Sequence, residues 1–314
     1  MEASKRPMAS PHLPSLATVR ARRDWRLMAA GIAVAMATFA FSQPLLAVVQ
    51  LARTSDLFSY ILLVPFASAF LLHHRAFELP RALETSWWQG GLALLLAAFA
   101  FLGSTGAITP HHASSAVDRL AWQMLAYYGL LLATGFLALG GRWMAAAVFP
   151  VFFLGFIIPW PDAMVSGLEF GSQAASAWAA HLAFEWTNMP VFRDGFVFEL
   201  AGARIQVAQE CSGIRSSVAL ILSGLLASNL LLRNPLHRAV VLALIIPVAI
   251  IRNGARIWLI AWLCVEYGPH MIHSVFHTHG GPVFFALSLL PVVGVLWLFV
   301  RREQRVPSVS GASR

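Results

Sequence analysis

Apolar runs close to the length of a bilayer crossing recur along this chain, separated by short polar or basic breaks. Crossing a hydrocarbon core about 30 Å thick takes about 20 predominantly apolar residues in helical form. Such runs fall at residues 27–50, 57–73, 88–108, 120–140, 143–160, 212–232, 239–264 and 281–300. The pattern predicts an all-α polytopic membrane protein with about eight transmembrane helices. The second run is short, and the first contains Pro44.

The longest stretch outside these runs is residues 161–211, and its pattern differs. From Asp162 through Ser166, Glu169, Gln173 and Ser176, polar side chains return every three or four positions. That is one polar stripe on a helix. With Trp178 and Trp186 at interfacial level, the stretch over residues 163–187 reads as an amphipathic helix lying on the membrane rather than a crossing. Next, Asp194-Gly195 is a turn signal, flanked by alternating Phe196, Phe198 and Leu200, then Ile205 and Val207. This predicts a small external β-hairpin that delivers the chain to residue 211.

Composition agrees with the pattern. Of 314 residues, 58% are hydrophobic and 11% charged, against roughly 25% charged in a soluble domain. The net charge of +8 is scattered between apolar runs, which suits membrane topology and not nucleic acid. Residues 1–26 read as a disordered basic cytoplasmic tail, 27–300 as a single transmembrane domain and 301–314 as a cytoplasmic tail. Lys5, Arg6, Arg20, Arg22, Arg23 and Arg26 precede the first run. The first run is read as a retained span, since no small-x-small cleavage site follows it. Eight crossings then put Arg75, Arg81, Arg142, Arg233, Arg238, Arg301, Arg302 and Arg305 on the same, cytoplasmic side. Both termini are therefore expected inside. Two cysteines, Cys211 and Cys264, make no disulfide scaffold.

Chemistry concentrates at three places. Glu210, Cys211 and Arg215 sit at the threshold of the run at 212–232, and Arg252, Asn253 and Arg256 interrupt the next. Charge inside a bilayer is costly and marks function by default. Arg256 lies 18 residues past Arg238, about 27 Å along a helix, which places it near the external edge. Cys211 and His277 fall at the same depth, and Arg252 lies one turn deeper on Arg256's face. A thiol activated by a cation or histidine can attack a carbonyl, a guanidinium can stabilise the oxyanion, and a histidine can shuttle the proton. Each residue also has a plain reading. Cys211 can be inert packing, Arg252 can pair with Glu169 or Glu210, and Arg215 with Glu210 or Glu266. Asn253 can bond backbone loosened by Gly254. The cluster His270, His273, His277 and His279 has the density of a metal site but lacks a His-Glu-x-x-His signature, so no metal or other cofactor is expected. An anion-binding transporter or lipid-linked carrier using Arg252 and Arg256 is the alternative function.

Glu210-Cys211-Ser212-Gly213-Ile214-Arg215-Ser216, then Asn253-Gly254-Ala255-Arg256-Ile257, then His277 ahead of Gly281 and Phe284-Phe285, resemble the exosortase/archaeosortase family. The resemblance runs over roughly residues 45–300, and Pro282 departs from the family's pattern. It implies a membrane cysteine protease or transpeptidase of the bacterial inner membrane, with its active site on the external (periplasmic) side. Implied partners are secreted proteins ending in a short motif (Pro-Glu-Pro in many PEP-CTERM substrates), a transmembrane helix and a basic tail, together with membrane lipid. Carried onto this sequence, Cys211 is the nucleophile, Arg256 the transition-state stabiliser and His277 the acid and base. Glu210, Arg215, Arg252 and Asn253 support them. His277 in place of an arginine favours the bacterial branch.

Overall fold

The computed structural model describes residues 16–107, 115–200, 203–207, 213–268, 270–271 and 281–305. The chain divides into two compact units, one ending at Asp162 and the other beginning at Ala163.

In the first unit, α1 (Leu16–Ala40) bends at Phe41 into α2 (Ser42–Thr54), three residues before Pro44. The bend is 68°. α3 (Val64–His74) follows a 3-10 turn at Ser59–Leu62, with Pro65 in its first turn. α4 (Trp87–Ser104) and α5 (Ala116–Thr134) form an antiparallel pair built on small residues. Ala93, Ala97 and Ala100 are buried, and a Cβ added at Gly129 would lie 3.1 Å from Ala97 Cα. Such close backbone approach is how apolar helices associate where lipid gives no hydrophobic drive. Ser115 and Asp118 form a capping box at the start of α5, satisfying donors that a helix end leaves open. Beyond a π-turn at Gly135–Leu139 come α6 (Gly141–Ala146) and α7 (Val148–Leu154).

The second unit is organised around one long helix. α8 (Asp162–Trp186) leads to an antiparallel meander, β1 (Val191–Asp194), β2 (Val197–Leu200) and β3 (Ala203–Gln206). Val191 pairs with Leu200, and Val197 with Gln206. Gly195 takes φ +57° in the first turn, so the Asp194-Gly195 signal is met. The expected hairpin has gained a third strand. Then come α9 (Ile214–Leu231), α10 (Pro235–Tyr267) and α11 (Gly281–Arg305). Asn234 caps α10 through Leu236 N–H, and Pro235 occupies the first turn, where its missing donor costs nothing.

α10 joins two cores. Its first half packs Val241 and Ile245 with Leu220 of α9 and Val292 and Leu296 of α11. Its second half packs Ile257, Ile260, Ala261 and Cys264 with Ala177, Ala180 and Phe184 of α8 and with Phe198, Ile205 and Val207 of the sheet. Arg252, Asn253 and Gly254 lie between these two clusters.

Five described helices are long and apolar enough to cross a membrane, or seven if each bent pair counts as one span. Two of the eight expected crossings look different here. Residues 57–73 form only the 3-10 turn and the 11-residue α3. Residues 143–160 break at Ala147 and again at Gly155. Pro150, Pro159 and Pro161 remove backbone donors across this stretch.

Candidate polar centre in the second unit

The chain enters α9 through Gly213, whose φ of +75° is left-handed. Glycine adopts that conformation without steric penalty. The site is also crowded: an added Cβ would lie 3.0 Å from Asn253 Cγ and 3.2 Å from Arg252 Nη2. The Gly213 carbonyl accepts hydrogen bonds from Ser216 Oγ at 3.0 Å, Ser217 Oγ at 2.8 Å and Arg252 Nη2 at 3.4 Å. The first and second sequence motifs are therefore in direct contact at Gly213, Arg252 and Asn253.

Burial sharpens the electrostatics. Arg252 is 9% exposed and Asn253 2%. Arg252 Nη1 is buried with no hydrogen-bond partner among the described residues. A guanidinium held out of water with donors to spare is costly unless it faces an acceptor. Arg256, one turn further along α10, is half-buried, and Arg215 is exposed on the first turn of α9. The expected pairing of Arg252 and Arg256 on one helix face is present. Glu210, Cys211, His273, His277 and His279 lie outside the described residues. Cys264 is a free thiol buried in the α8–sheet–α10 cluster, where it packs among apolar side chains.

Helix α8 departs from its expected role. A stripe meant for water should stay exposed, yet Gln173 is 7% exposed and Ser176 1%. The Gln173 amide donates through Nε2 to the Val207 carbonyl at the end of β3. Ser176 Oγ is buried without a hydrogen-bond partner among the described residues. The stripe begins exposed at Asp162 and Ser166 and runs inward, where its face continues as Ala177, Ala180 and Phe184. Small residues permit this: a Cβ added at Gly254 of α10 would lie 2.6 Å from Ala179 Cβ and 3.0 Å from the α8 backbone. The signal was present in the sequence, because the polar stripe shares its helical face with alanines and a phenylalanine. A water-facing stripe would not continue that way.

The two ends of the second unit differ in charge. At one end Glu303 accepts from the backbone N–H of Arg233 at 2.7 Å and of Asn234 at 3.1 Å, and its carboxylate lies 2.7 Å from His237 Nδ1. His237 stacks on Phe299, with ring centroids 4.2 Å apart. Arg301 lies over Trp297, 3.6 Å from the ring centroid, as interfacial cations and aromatics do. Arg233, Arg238, Arg301 and Arg302 are thus gathered at the α9–α10 turn and the end of α11. Gly213 is at the opposite end of α9, 18 residues away and so about 27 Å distant.

These features define a polytopic, mainly helical membrane protein with a buried polar centre between the two cores of its second unit, at the end of α9 remote from the basic residues. The family model for transmembrane exosortase (Exosortase_EpsH) matches residues 51–294, and the chain belongs to that family. Membership makes it a membrane-embedded protein that processes sorting signals. No curated protein and no solved structure matches the chain.

Proposed function

We propose that the protein is a cysteine protease or transpeptidase that cleaves C-terminal sorting signals of secreted proteins at the external face of the bacterial inner membrane. One observation carries the reading. The family match spans all three motifs, and described residues of the first two touch, Gly213 lying against Asn253 and its neighbour Arg252. In this reaction His277 takes the Cys211 proton, and the thiolate attacks the scissile carbonyl. The resulting oxyanion is held by Arg256 in a site poor in water, where a fixed cation acts most strongly. The intermediate collapses to a thioester as His277 returns the proton to the leaving amine. An acceptor nucleophile, or water, then breaks the thioester and regenerates the thiol. Glu210, Arg215, Arg252 and Asn253 support the site by holding its charge and backbone. Substrates carry a PEP-CTERM-like motif, a transmembrane helix and a basic tail. Eight crossings with both termini in the cytoplasm place Cys211 outside, which the separation of Gly213 from the basic end of the unit supports.

The test is processing of a co-expressed, tagged substrate by membranes containing Cys211→Ala, Arg256→Ala or His277→Ala enzyme. All three variants should reach the membrane and leave the substrate full-length. Normal processing by Cys211→Ala would overturn the proposal. If Arg256→Ala alone failed, anion binding by the arginines would become the better account.

A further inference from the structure

We propose that a cavity between α1, α4 and α5 of the first unit binds an anionic phospholipid, its phosphate on Arg26 and one acyl chain in the apolar part. The cavity measures about 480 Å³, within the roughly 300–1,000 Å³ of small-ligand sites. Arg26, Ala29, Ala30 and Ala33 of α1 line it, and their i, i+3, i+4, i+7 spacing puts them on one helix face. The cation is therefore continuous with an apolar trough, which Leu94 of α4 and Leu130 of α5 complete. Two ties hold α1 in place. Arg26 donates through Nη1 to the Leu83 carbonyl at 3.1 Å and through Nη2 to Thr85 Oγ1 at 3.0 Å. Further along α1, Thr38 Oγ1 lies 2.9 Å from the Tyr127 hydroxyl of α5.

The mouth of the cavity selects the headgroup by charge. Both acceptors of Arg26 are neutral, and its guanidinium has further donors on the fork. Glu84, the acid between those two acceptors, pairs instead with Arg142 at 3.2 Å. Asp24 lies two positions from Arg26 on α1, and residues so spaced do not face each other. Among the described residues Arg26 makes no ion pair, and a planar fork of this kind suits a phosphate. Trp25 and Trp87 also line the cavity and are exposed, as aromatics at headgroup level are. An apolar cavity does not hold water, so at hydrocarbon depth a lipid chain is what fills the trough. Basic pockets between membrane helices on the cytoplasmic side bind anionic headgroups, and the cytoplasmic N-terminus proposed above puts Arg26 in that leaflet. A partner helix ending in a basic tail would instead set like charge against Arg26.

The experiment is native mass spectrometry of the full-length protein, titrated in detergent with phosphatidylglycerol or phosphatidylcholine of matched chains. Melting temperatures establish that each variant is folded. Wild type should prefer phosphatidylglycerol. Arg26→Gln should lower that preference about 5-fold, whereas Arg26→Lys, which keeps the charge, should retain most of it. Ala30→Leu, which takes up part of the cavity, should weaken binding of both lipids. Arg142→Gln removes a cation that already has a partner and should leave the preference unchanged. Equal binding of the two lipids by wild type, an unchanged preference in Arg26→Gln, or lipid binding unaffected by Ala30→Leu would overturn the proposal. Ala30→p-benzoylphenylalanine, irradiated in cell membranes, should give a lipid adduct. Cross-linking there to another protein, or to residues 1–15 of the same chain, would overturn the choice of occupant.

Discussion

Gly213 carries two requirements that point the same way. Its left-handed φ of +75° is open to glycine, whereas an L side chain there costs roughly 1–2 kcal/mol. A Cβ there would also lie only 3.0 Å from Asn253 Cγ, closer than ordinary contact. Gly213→Ala should therefore destabilise the enzyme by about 1–2 kcal/mol and impair processing beyond that loss, because the strain falls on Arg252 and Asn253. Gly171 on α8 is the control: it is helical and has nothing within 4 Å of an added Cβ. Gly171→Ala should be neutral or stabilising by up to about 1 kcal/mol. Thermal melts in one detergent check both, and equal behaviour of the two variants would remove the special status of Gly213. In the sequence Gly213 was legible only as part of the first motif. The left-handed turn was not legible, because φ depends on how the strand and α9 are joined. Arg252 and Asn253 were legible as charge and amide in an apolar run, whereas their contact with Gly213 is a tertiary fact that spacing does not contain.

For elements, two opposing terms meet where α10 crosses α8. Helix propensity favours alanine over glycine by about 1 kcal/mol. Against it, a Cβ at Gly254 would sit 2.6 Å from Ala179 Cβ and 3.0 Å from α8 backbone, and overpacking of this kind costs about 1–3 kcal/mol. Backbone cannot rotate aside as a side chain can, so the clash should win. Gly254→Ala is expected to lower the melting temperature, and the double variant Gly254→Ala/Ala179→Gly to recover much of the loss. Failure of that rescue would show that the contact is not the cause. A second junction lies at Glu303, whose carboxylate takes two backbone N–H groups and faces His237. Hydrogen bonds to charged groups contribute about 1.5–3 kcal/mol, so Glu303→Ala should melt several degrees lower, while Glu303→Gln, which keeps a carbonyl acceptor, should lose less. Periodicity revealed α8 and its stripe, but not which way the stripe faces. That depends on Gly254 and the alanines beside it. The 3-10 turn before α3 and the breaks at Ala147 and Gly155 were likewise hidden, because hydropathy measures apolarity and not continuity of the helix.

Over the whole molecule, the distribution of charge carries more topological information than the number of apolar helices. The second unit places Arg233, Arg238, Arg301 and Arg302 at one end, where Glu303 accepts from the backbone N–H groups of Arg233 and Asn234, and Gly213 at the other end of α9. Positive loops stay in the cytoplasm, so this end should be inside and the Gly213 end outside. The basic residues before α1 make the same demand of the N-terminus. Both termini on one side require an even number of crossings, and five to seven helices by length alone leave that parity open. α3 is the segment that decides it: its 11 residues rise about 17 Å as helix, well short of a core about 30 Å thick unless the preceding turn and flanking chain complete the passage. We expect reporter fusions after residue 305 and before residue 16 to report the cytoplasm together. A cysteine placed at Asp56 should react with a membrane-impermeant maleimide from outside, and one placed at Glu78 should react only after permeabilisation. If Glu78 were labelled in intact cells along with Asp56, α3 would not cross. The even count would then need another crossing, and α8, whose 25 residues are long enough to span, would become the segment to label next.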